Sequence, residues 1–584
     1  MSAQATELPL GEGIDLEKVK KQVVRQKLGF EDYLRRGLFV LIALGLFIFM
    51  IYPLLVGLMR SFQDRTGAFI GLANYARYFA SASTRESLPN SLYVSLVSMA
   101  ITVGLAFLYA YGLNRMKLPG KRIFQGIALL PIFIPSLVQA LSFIYMFGNN
   151  GIFTRMFGIN IGLYGSRGII MSEVFYAFPH AFIILSTALS LADARLYEAA
   201  EALRTSGRRM FMTITLPGVR YGLMSAAFVV FTLAITDFGA PKVVGGNFDV
   251  LATDIYNKVI GQQDFQMGAT ISTLLLIPAG IAFVLDRLVQ RRQVAMVTAN
   301  ITPMGPKPHH RLVEVFVYAC IFLMAIFILS VYVTVLLGTF TRYWPYDMSF
   351  TMKNFTFYVA GTYGRGGAFV VLWTSIKMAL ATAVAGTIVV FFSAYLIEKT
   401  RGLNLARSVL YLLSIMPLAI PGMVLGLNYL FTFNNPNSPL NVMYGTMAIL
   451  VVSTIIHYYT VPFLTASTAL KQLDPEFEAI GESLEAPFYK TFLKVTVPVA
   501  LPAIIQITSY FFLNAMVTLS AVVFLFVPGK ELAALSVMLL DDAGETAQAM
   551  AMSLLIIVVG LTTRGLFYLL TRGIERTTQA WRVR

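Results

Sequence analysis

Long apolar runs separated by short polar stretches recur along the whole of this 584-residue chain. They fall at about 37–59, 91–113, 123–147, 168–192, 221–240 and 267–287, then at 312–338, 369–396, 405–432, 442–466, 499–526 and 546–570. A hydrocarbon layer about 30 Å thick takes about 20 residues of helix to cross, and in lipid each backbone polar group must be satisfied within its own segment. The pattern therefore predicts an all-α membrane protein with about twelve transmembrane helices. Composition agrees: 57% of the residues are apolar and only 13% are charged, whereas soluble domains carry about a quarter charged residues. The first run follows a polar, charged stretch and continues into Leu58-Met59-Arg60-Ser61-Phe62 rather than a small-residue cleavage site. It reads as a retained helix, not a signal peptide.

Basic residues are held on the cytoplasmic side of a membrane, which orients the helices. With the N-terminus inside, most of the 45 Lys and Arg fall on the cytoplasmic side. This places a cytoplasmic segment at 1–36, a first six-helix domain at 37–287, a cytoplasmic linker at 288–311, a second six-helix domain at 312–571 and a cytoplasmic tail at 572–584. The net charge of +15 is thus a topology signal with some attraction to membrane lipid. No nucleic-acid partner is expected. Cys320 has no disulfide partner, and neither the isolated His180 and His457 nor the linker pair His309 and His310 make a metal site.

The two domains repeat one another. Leu130-Pro131-Ile132-Phe133-Ile134-Pro135 matches Met416-Pro417-Leu418-Ala419-Ile420-Pro421, and Ser186-Thr187-Ala188-Leu189 recurs as Ser467-Thr468-Ala469-Leu470. The match continues through the next loop, where Asp193 pairs with Asp474, Glu201 with Glu482, Leu203 with Leu484, Phe211 with Phe492, Thr215 with Thr496 and Pro217 with Pro498. Six helices return the chain to its starting side, so the two repeats are parallel. Duplicated helices alone would not require a cytoplasmic loop to match in register.

That loop runs Asp193-Ala194-Arg195-Leu196-Tyr197-Glu198-Ala199-Ala200-Glu201-Ala202-Leu203-Arg204-Thr205-Ser206-Gly207, then through Phe211 to Leu216-Pro217. Its density of Ala and Glu predicts a short helix, Gly207 permits a break, and Pro217 starts the next element. Small side chains at Ala199 and Ala200 let another surface approach, and the charged residues flank it at helical spacing.

Here the chain resembles the permeases of binding-protein-dependent ATP-binding-cassette importers. Their signature is a cytoplasmic Glu-Ala-Ala segment, a Gly a few residues on, and a Leu-Pro pair beyond it. Glu198-Ala199-Ala200 and Leu216-Pro217 fit that spacing, with Arg204 at the usual Gly position. In the second domain Val497-Pro498 holds the end, Ala479-Ile480-Gly481 lies opposite Glu198-Ala199-Ala200, Glu478 precedes that register by one residue, and Glu485 takes the Gly position. The resemblance spans about 37–570. It implies the type I importer permease fold (MetI-like) in a bacterial inner membrane with both termini cytoplasmic. It also implies two partners: a dimer of separate ATPase subunits, docked on the loops, and a periplasmic or lipoprotein substrate-binding protein. The ATPase would bind ATP and Mg. This chain has no Gly-x-x-x-x-Gly-Lys-Ser/Thr phosphate loop and no catalytic constellation, so it is expected to be a pore and not an enzyme.

Alternating access needs a central path between the repeats. Pro131, Pro135, Pro417 and Pro421 are expected to bend the third and ninth helices beside it. Asp237 is a carboxylate at membrane depth, where charge is costly and usually faces a cavity or partner; its repeat mate is Thr518. Glu173, near the outer end of the fourth helix, is a weaker candidate. From Asp237 to Phe265 the texture resembles fused permeases for ferric iron and for 2-aminoethylphosphonate, which makes ferric iron or an organophosphonate the expected cargo. The rivals are a secondary transporter of the major-facilitator type, which needs no Glu-Ala-Ala loop, and a membrane-embedded enzyme or scaffold.

Overall fold

The computed structural model describes residues 29–296, 305, 310–356, 367–400, 403–474, 476–484 and 486–578. Most of the expected N-terminal segment, much of the linker with Pro303, Pro306, Pro308 and His309, and Glu485 lie outside the described residues.

Among the described residues eight helices are long and apolar enough to cross a membrane, and four bent pairs raise the number of spans to 12 if each pair counts once. In the first half these are α1 (Tyr33–Ser61), α2 (Ser87–Arg115), the pair α3 (Lys121–Leu129) and α4 (Ser136–Phe147), α5 (Ser166–Ser190), α7 (Gly207–Thr236) and α9 (Phe265–Met296). A short α6 (Ala194–Ala202) sits in the loop before α7, and α8 (Gly239–Val244) follows it.

The second half repeats the order with α10 (Arg311–Phe340), α11 (Gly367–Lys399), α12 (Asn404–Ile415) with α13 (Gly422–Phe433), and α14 (Met447–His457) with α15 (Thr460–Lys471). The loop helix α16 (Glu476–Ser483), the bent pair α17 (Phe488–Val499) and α18 (Leu501–Val517), α19 (Ala533–Asp542) and α20 (Thr546–Thr578) complete it. A small hairpin, β1 (Thr341–Tyr343) and β2 (Asp347–Phe350), follows α10.

The runs expected at 123–147 and 405–432 are bent by 105° and 109°. Proline fixes its own φ and disfavours helical backbone in the residue before it. Accordingly Ile134 (φ −117°, ψ 127°) and Ile420 (φ −100°, ψ 112°) are extended, and the chain re-enters helix only after Pro135 and Pro421. The run expected at 221–240 begins earlier, at Gly207, because a π-helical turn at Phe211–Thr215 carries the helix through Pro217. An extra residue in the turn keeps the proline ring off the carbonyl four residues back. Phe492–Thr496 makes the same turn ahead of Pro498.

The first span of each half packs against the other half. Tyr52–Ser61 lies on α13, and α10 lies on α4. Tyr332 on α10 donates its hydroxyl to Leu130 O at 2.6 Å, and Tyr429 on α13 donates to Phe49 O. Gly57 on α1 sits so close to Asn428 on α13 that any side chain there would collide with it.

Candidate functional site

The two proline breaks and the ends of α7 and α18 enclose a cavity of about 220 Å³ on the axis between the halves. Its wall is made of repeat mates: Ile134 with Ile420, Pro135 with Pro421, Tyr176 with His457, Thr236 with Val517, and Gly239 with Ser520. Pro417 also lines it, while Pro131 is buried behind the first break.

Asp237 is the acid of this cavity. The α7 helix ends there because Asp237 turns extended (φ −70°, ψ 139°), and its carboxylate is held at both oxygens. Oδ1 accepts from Ser136 Oγ at 2.7 Å and Oδ2 accepts from Ala240 N at 2.9 Å, which satisfies a free amide of the first turn of α8. Glu173 is fully buried, faces the Asp237 carboxyl, and has no other hydrogen-bond partner. The repeat mates of these acids are Thr518, buried between the lining residues Val517 and Leu519, and Thr454. The acidity thus belongs to one half. Among the described residues no Lys or Arg lines the cavity.

Where α4 passes the start of α8, the halves use the same close contact with the residues exchanged. A methyl group on Gly239 would stand 2.5 Å from Ser136 Oγ, and a methyl group on Gly422 would collide with Ser520 Oγ. Ser136 aligns with Gly422 and Gly239 with Ser520, so each crossing has one Ser and one Gly.

The expected loop helix is present in both halves. Asp193 caps α6 by accepting from Arg195 N at 3.1 Å. Ala194, Tyr197 and Ala200 turn inward, whereas Leu196, Glu198, Ala199, Glu201 and Leu203 are exposed. Leu196, Ala199 and Leu203 fall on one face. In the second half Ala479, Ile480 and Leu484 are exposed likewise, while Gly481 is buried where a side chain would press within 2.6 Å of Thr491 Oγ1. For Glu482 only the backbone is described. Leu216, Pro217 and Pro498 are exposed at the exit of the π turns and Val497 is half-buried.

The break after α6 is not made by Gly207, which begins the next helix with open space around it. It is made at Arg204, whose φ of 53° is left-handed. Thr205 N donates to Ala200 O and Arg204 N to Glu201 O, both at 2.9 Å, closing a Schellman turn on an arginine. In the second loop Ala486 N likewise donates to Gly481 O at 2.9 Å.

Glu478 is not on the exposed face. It is the repeat mate of Tyr197 and points inward, with Oε2 3.1 Å from Lys399 Nζ. In the first half Tyr197 instead lies under Arg115, whose guanidinium is 5.0 Å from the ring centroid. Arg115 and Lys399 end α2 and α11, and each also donates to a carbonyl at the end of the fourth span, Leu189 O at 2.9 Å and Leu473 O at 3.2 Å. The π turns are tied to the same helices, Phe211 by Phe107 and Tyr111, Phe492 by Phe391 and Tyr395.

Ser136, Tyr176 and Asn514 line the cavity without a sequence signal that marks them, and His180 and His457, isolated along the chain, line it too. Projecting the repeat register from Pro135 and Asp237 onto the neighbouring spans would have gathered several of them. The pairing of Arg115 with Tyr197 had no local signal.

A family model described as "binding-protein-dependent transport system inner membrane component" matches residues 100–295. A Haemophilus influenzae chain named for a ferric transport system permease is 29% identical, over 83% of this chain and 77% of that one. The ferric transport system permease protein of Actinobacillus pleuropneumoniae is 27% identical, over 90% of this chain and 76% of its own length. The molybdenum transport system permease protein of Haemophilus influenzae is 30% identical over 26% of this chain and 67% of its own.

Proposed function

Since the chain belongs to the permeases of binding-protein-dependent ATP-binding-cassette importers, we propose that the cavity around Asp237 is its translocation path and that its cargo is ferric iron. The chain is a transport pore of many spans, working with an ATPase and a substrate-binding protein. In this reading both termini and the loops carrying α6 and α16 face the cytoplasm of a bacterial inner membrane. A dimer of ATPase subunits, holding ATP and Mg, docks on the loops, and a periplasmic or lipoprotein binding protein delivers cargo to the opposite face.

The carrying observation is the charge of the path. Asp237 lines it, Glu173 stands behind, and among the described residues no Lys or Arg faces it. A cation leaving water for a low-dielectric channel loses hydration energy that a fixed carboxylate partly replaces. An organophosphonate, an anion, would meet a carboxylate and no countercharge. The ferric permease relatives point the same way. Among the described residues no three His, Cys, Asp or Glu side chains converge, which suits passage over retention, since a conducted ion must also leave. Closure of the ATPases would press the exposed Leu196 and Leu203 face and its counterpart, and the π turns would pass that motion to α7 and α18.

The test is uptake of radiolabelled ferric iron into vesicles holding this chain, its ATPase and its loaded binding protein. ATP-dependent accumulation is expected. Accumulation of 2-aminoethylphosphonate instead of iron would overturn the cargo assignment.

A further inference from the structure

Arg115 is a buried cation without an anion. Its residue is 2% exposed, Nη2 is satisfied by Leu189 O, the guanidinium covers Tyr197, and Nε has no partner. Among the described residues no carboxylate pairs with it. Its repeat mate Lys399 has one, because the position of Tyr197 is taken there by Glu478. Removing a charge from water costs several kcal/mol unless an opposite charge compensates, and a cation–π contact with one carbonyl replaces only part of that.

A cavity of about 710 Å³ opens beside Arg115, between α2, α6, the start of α7 and the start of α10. Most of its wall is apolar, including Phe107, Phe211, Val313 and Val317, while Arg208 and His310 add basic groups and Glu201 a single acid. A charged end next to an apolar slot between helix ends fits an amphiphile with an anionic head. Such basic pockets between spans on the cytoplasmic side suit acidic lipid headgroups.

We propose that this cavity seats an anionic phospholipid of the inner leaflet, its phosphate against Arg115 and an acyl chain along Phe107, Val313 and Val317. The site exists in the first half alone, since the second half carries its own counter-ion. Bound lipid would brace α6 against α2 as Glu478 braces α16 against α11, so the first loop couples fully only in an acidic membrane. The leaflet rests on the orientation given under the proposed function; the charge complementarity does not.

The complete complex of chain and ATPase is reconstituted in phosphatidylcholine vesicles, with or without phosphatidylglycerol, and in a further arm with inorganic phosphate added to phosphatidylcholine alone. Lipid retained after detergent extraction is read by native mass spectrometry, and ATPase rate in parallel. The wild-type chain should retain phosphatidylglycerol and run several-fold faster with it. Tyr197→Glu, which installs the second half's counter-ion, should bind the lipid about tenfold more weakly, the worth of one charge-assisted contact, and lose the stimulation. Val317→Trp, which fills the slot and leaves Arg115 in place, should also displace the lipid. Equal retention by all three chains overturns the proposal, as does full stimulation by inorganic phosphate alone. Because retained lipid is weighed directly, a complex that binds lipid but imports no iron would count against the cargo and not against this site.

Discussion

The hydroxyl of Ser136, at the first residue of the helix after the Pro135 break, donates to Asp237 Oδ1 at 2.7 Å. This bond joins the third span to the end of the fifth and fixes which way the carboxylate faces. Replacing the acid by its neutral isostere keeps the cap on α8 and removes the charge. Asp237→Asn is therefore expected to cut iron uptake at least roughly tenfold, the kinetic equivalent of about 1.4 kcal/mol, with normal assembly by size-exclusion chromatography. Thr518→Val, at the repeat mate, should change uptake little. Equal loss in both variants would show that the acid has no special part.

The exchanged Ser and Gly at the two crossings make a suppression test. Gly422→Ala should destabilise the chain by about 1–3 kcal/mol through overpacking, seen as a lower midpoint of thermal unfolding in detergent. Ser520→Gly in the same chain should restore most of the loss. Without that rescue, the crossing is not limited by contact between these two residues.

Arg204 occupies a left-handed position that costs a side-chain-bearing residue about 1–2 kcal/mol. Arg204→Gly should raise stability by up to about 1 kcal/mol after the extra freedom of glycine in the unfolded chain is subtracted. Arg204→Val should lower it, because a branched side chain is worse there. Thermal unfolding of the two variants against wild type gives the sign.

The Lys399 and Glu478 side chains are 9% and 13% exposed, so their pair is close to a buried one. Glu478→Ala alone is expected to cost about 3–5 kcal/mol by stranding the lysine, whereas Lys399→Met with Glu478→Leu should be nearly neutral. A double-mutant cycle on unfolding free energy separates the two terms.

Burial first, and then the neighbouring Asp542, pushes the Asp541 carboxyl up to about 6, opposed by Lys242. Lys242 itself forms the one ion pair between the halves among the described residues, with Nζ 3.1 Å from Asp542 Oδ1. A folded value above the ordinary 3.8 means the folded chain binds this proton more tightly than the unfolded chain. The contribution is then complete below about pH 4 and lost as pH rises through about 6. Asp541→Asn should raise stability above pH 6 and flatten the dependence between those values, measured by thermal unfolding across a pH series.

Much of this fold could be read from the chain because hydrophobic run length and the doubled Pro-Ile-Phe-Ile-Pro and Pro-Leu-Ala-Ile-Pro segments are local signals. The bends of the third and ninth spans followed from their paired prolines, whereas the breaks of 59° after His457 and 78° after Val499 did not. The early start of α7 did not either, because its π turn depends on how Phe211 packs against Phe107 and Tyr111, remote in sequence. The loop helix was legible as a helix, yet which of its residues face out was not. Glu478 looked like a docking charge until Lys399, remote in sequence, claimed it. Gly207 looked like the hinge because glycine usually is, and the chain instead bends at Arg204. The cavity was half legible: Asp237 stood out as an acid in an apolar run, whereas Tyr176, His457 and Asn514 acquire meaning only when four spans meet.

The placement of α1 on α13 and of α10 on α4 bears on how the chain is made. When the ribosome has finished the first six spans, the face of α4 that α10 will cover is still bare, and α1 has no α13 to lie on. A nascent first half is therefore an unfinished object that must be sheltered in the membrane until its sibling arrives. Fusing both halves in one polypeptide guarantees that the sibling does arrive, in equal number and at the same address. Expressed alone, either half would be expected to clump or to be degraded, and only co-synthesis of the two should recover a stable product.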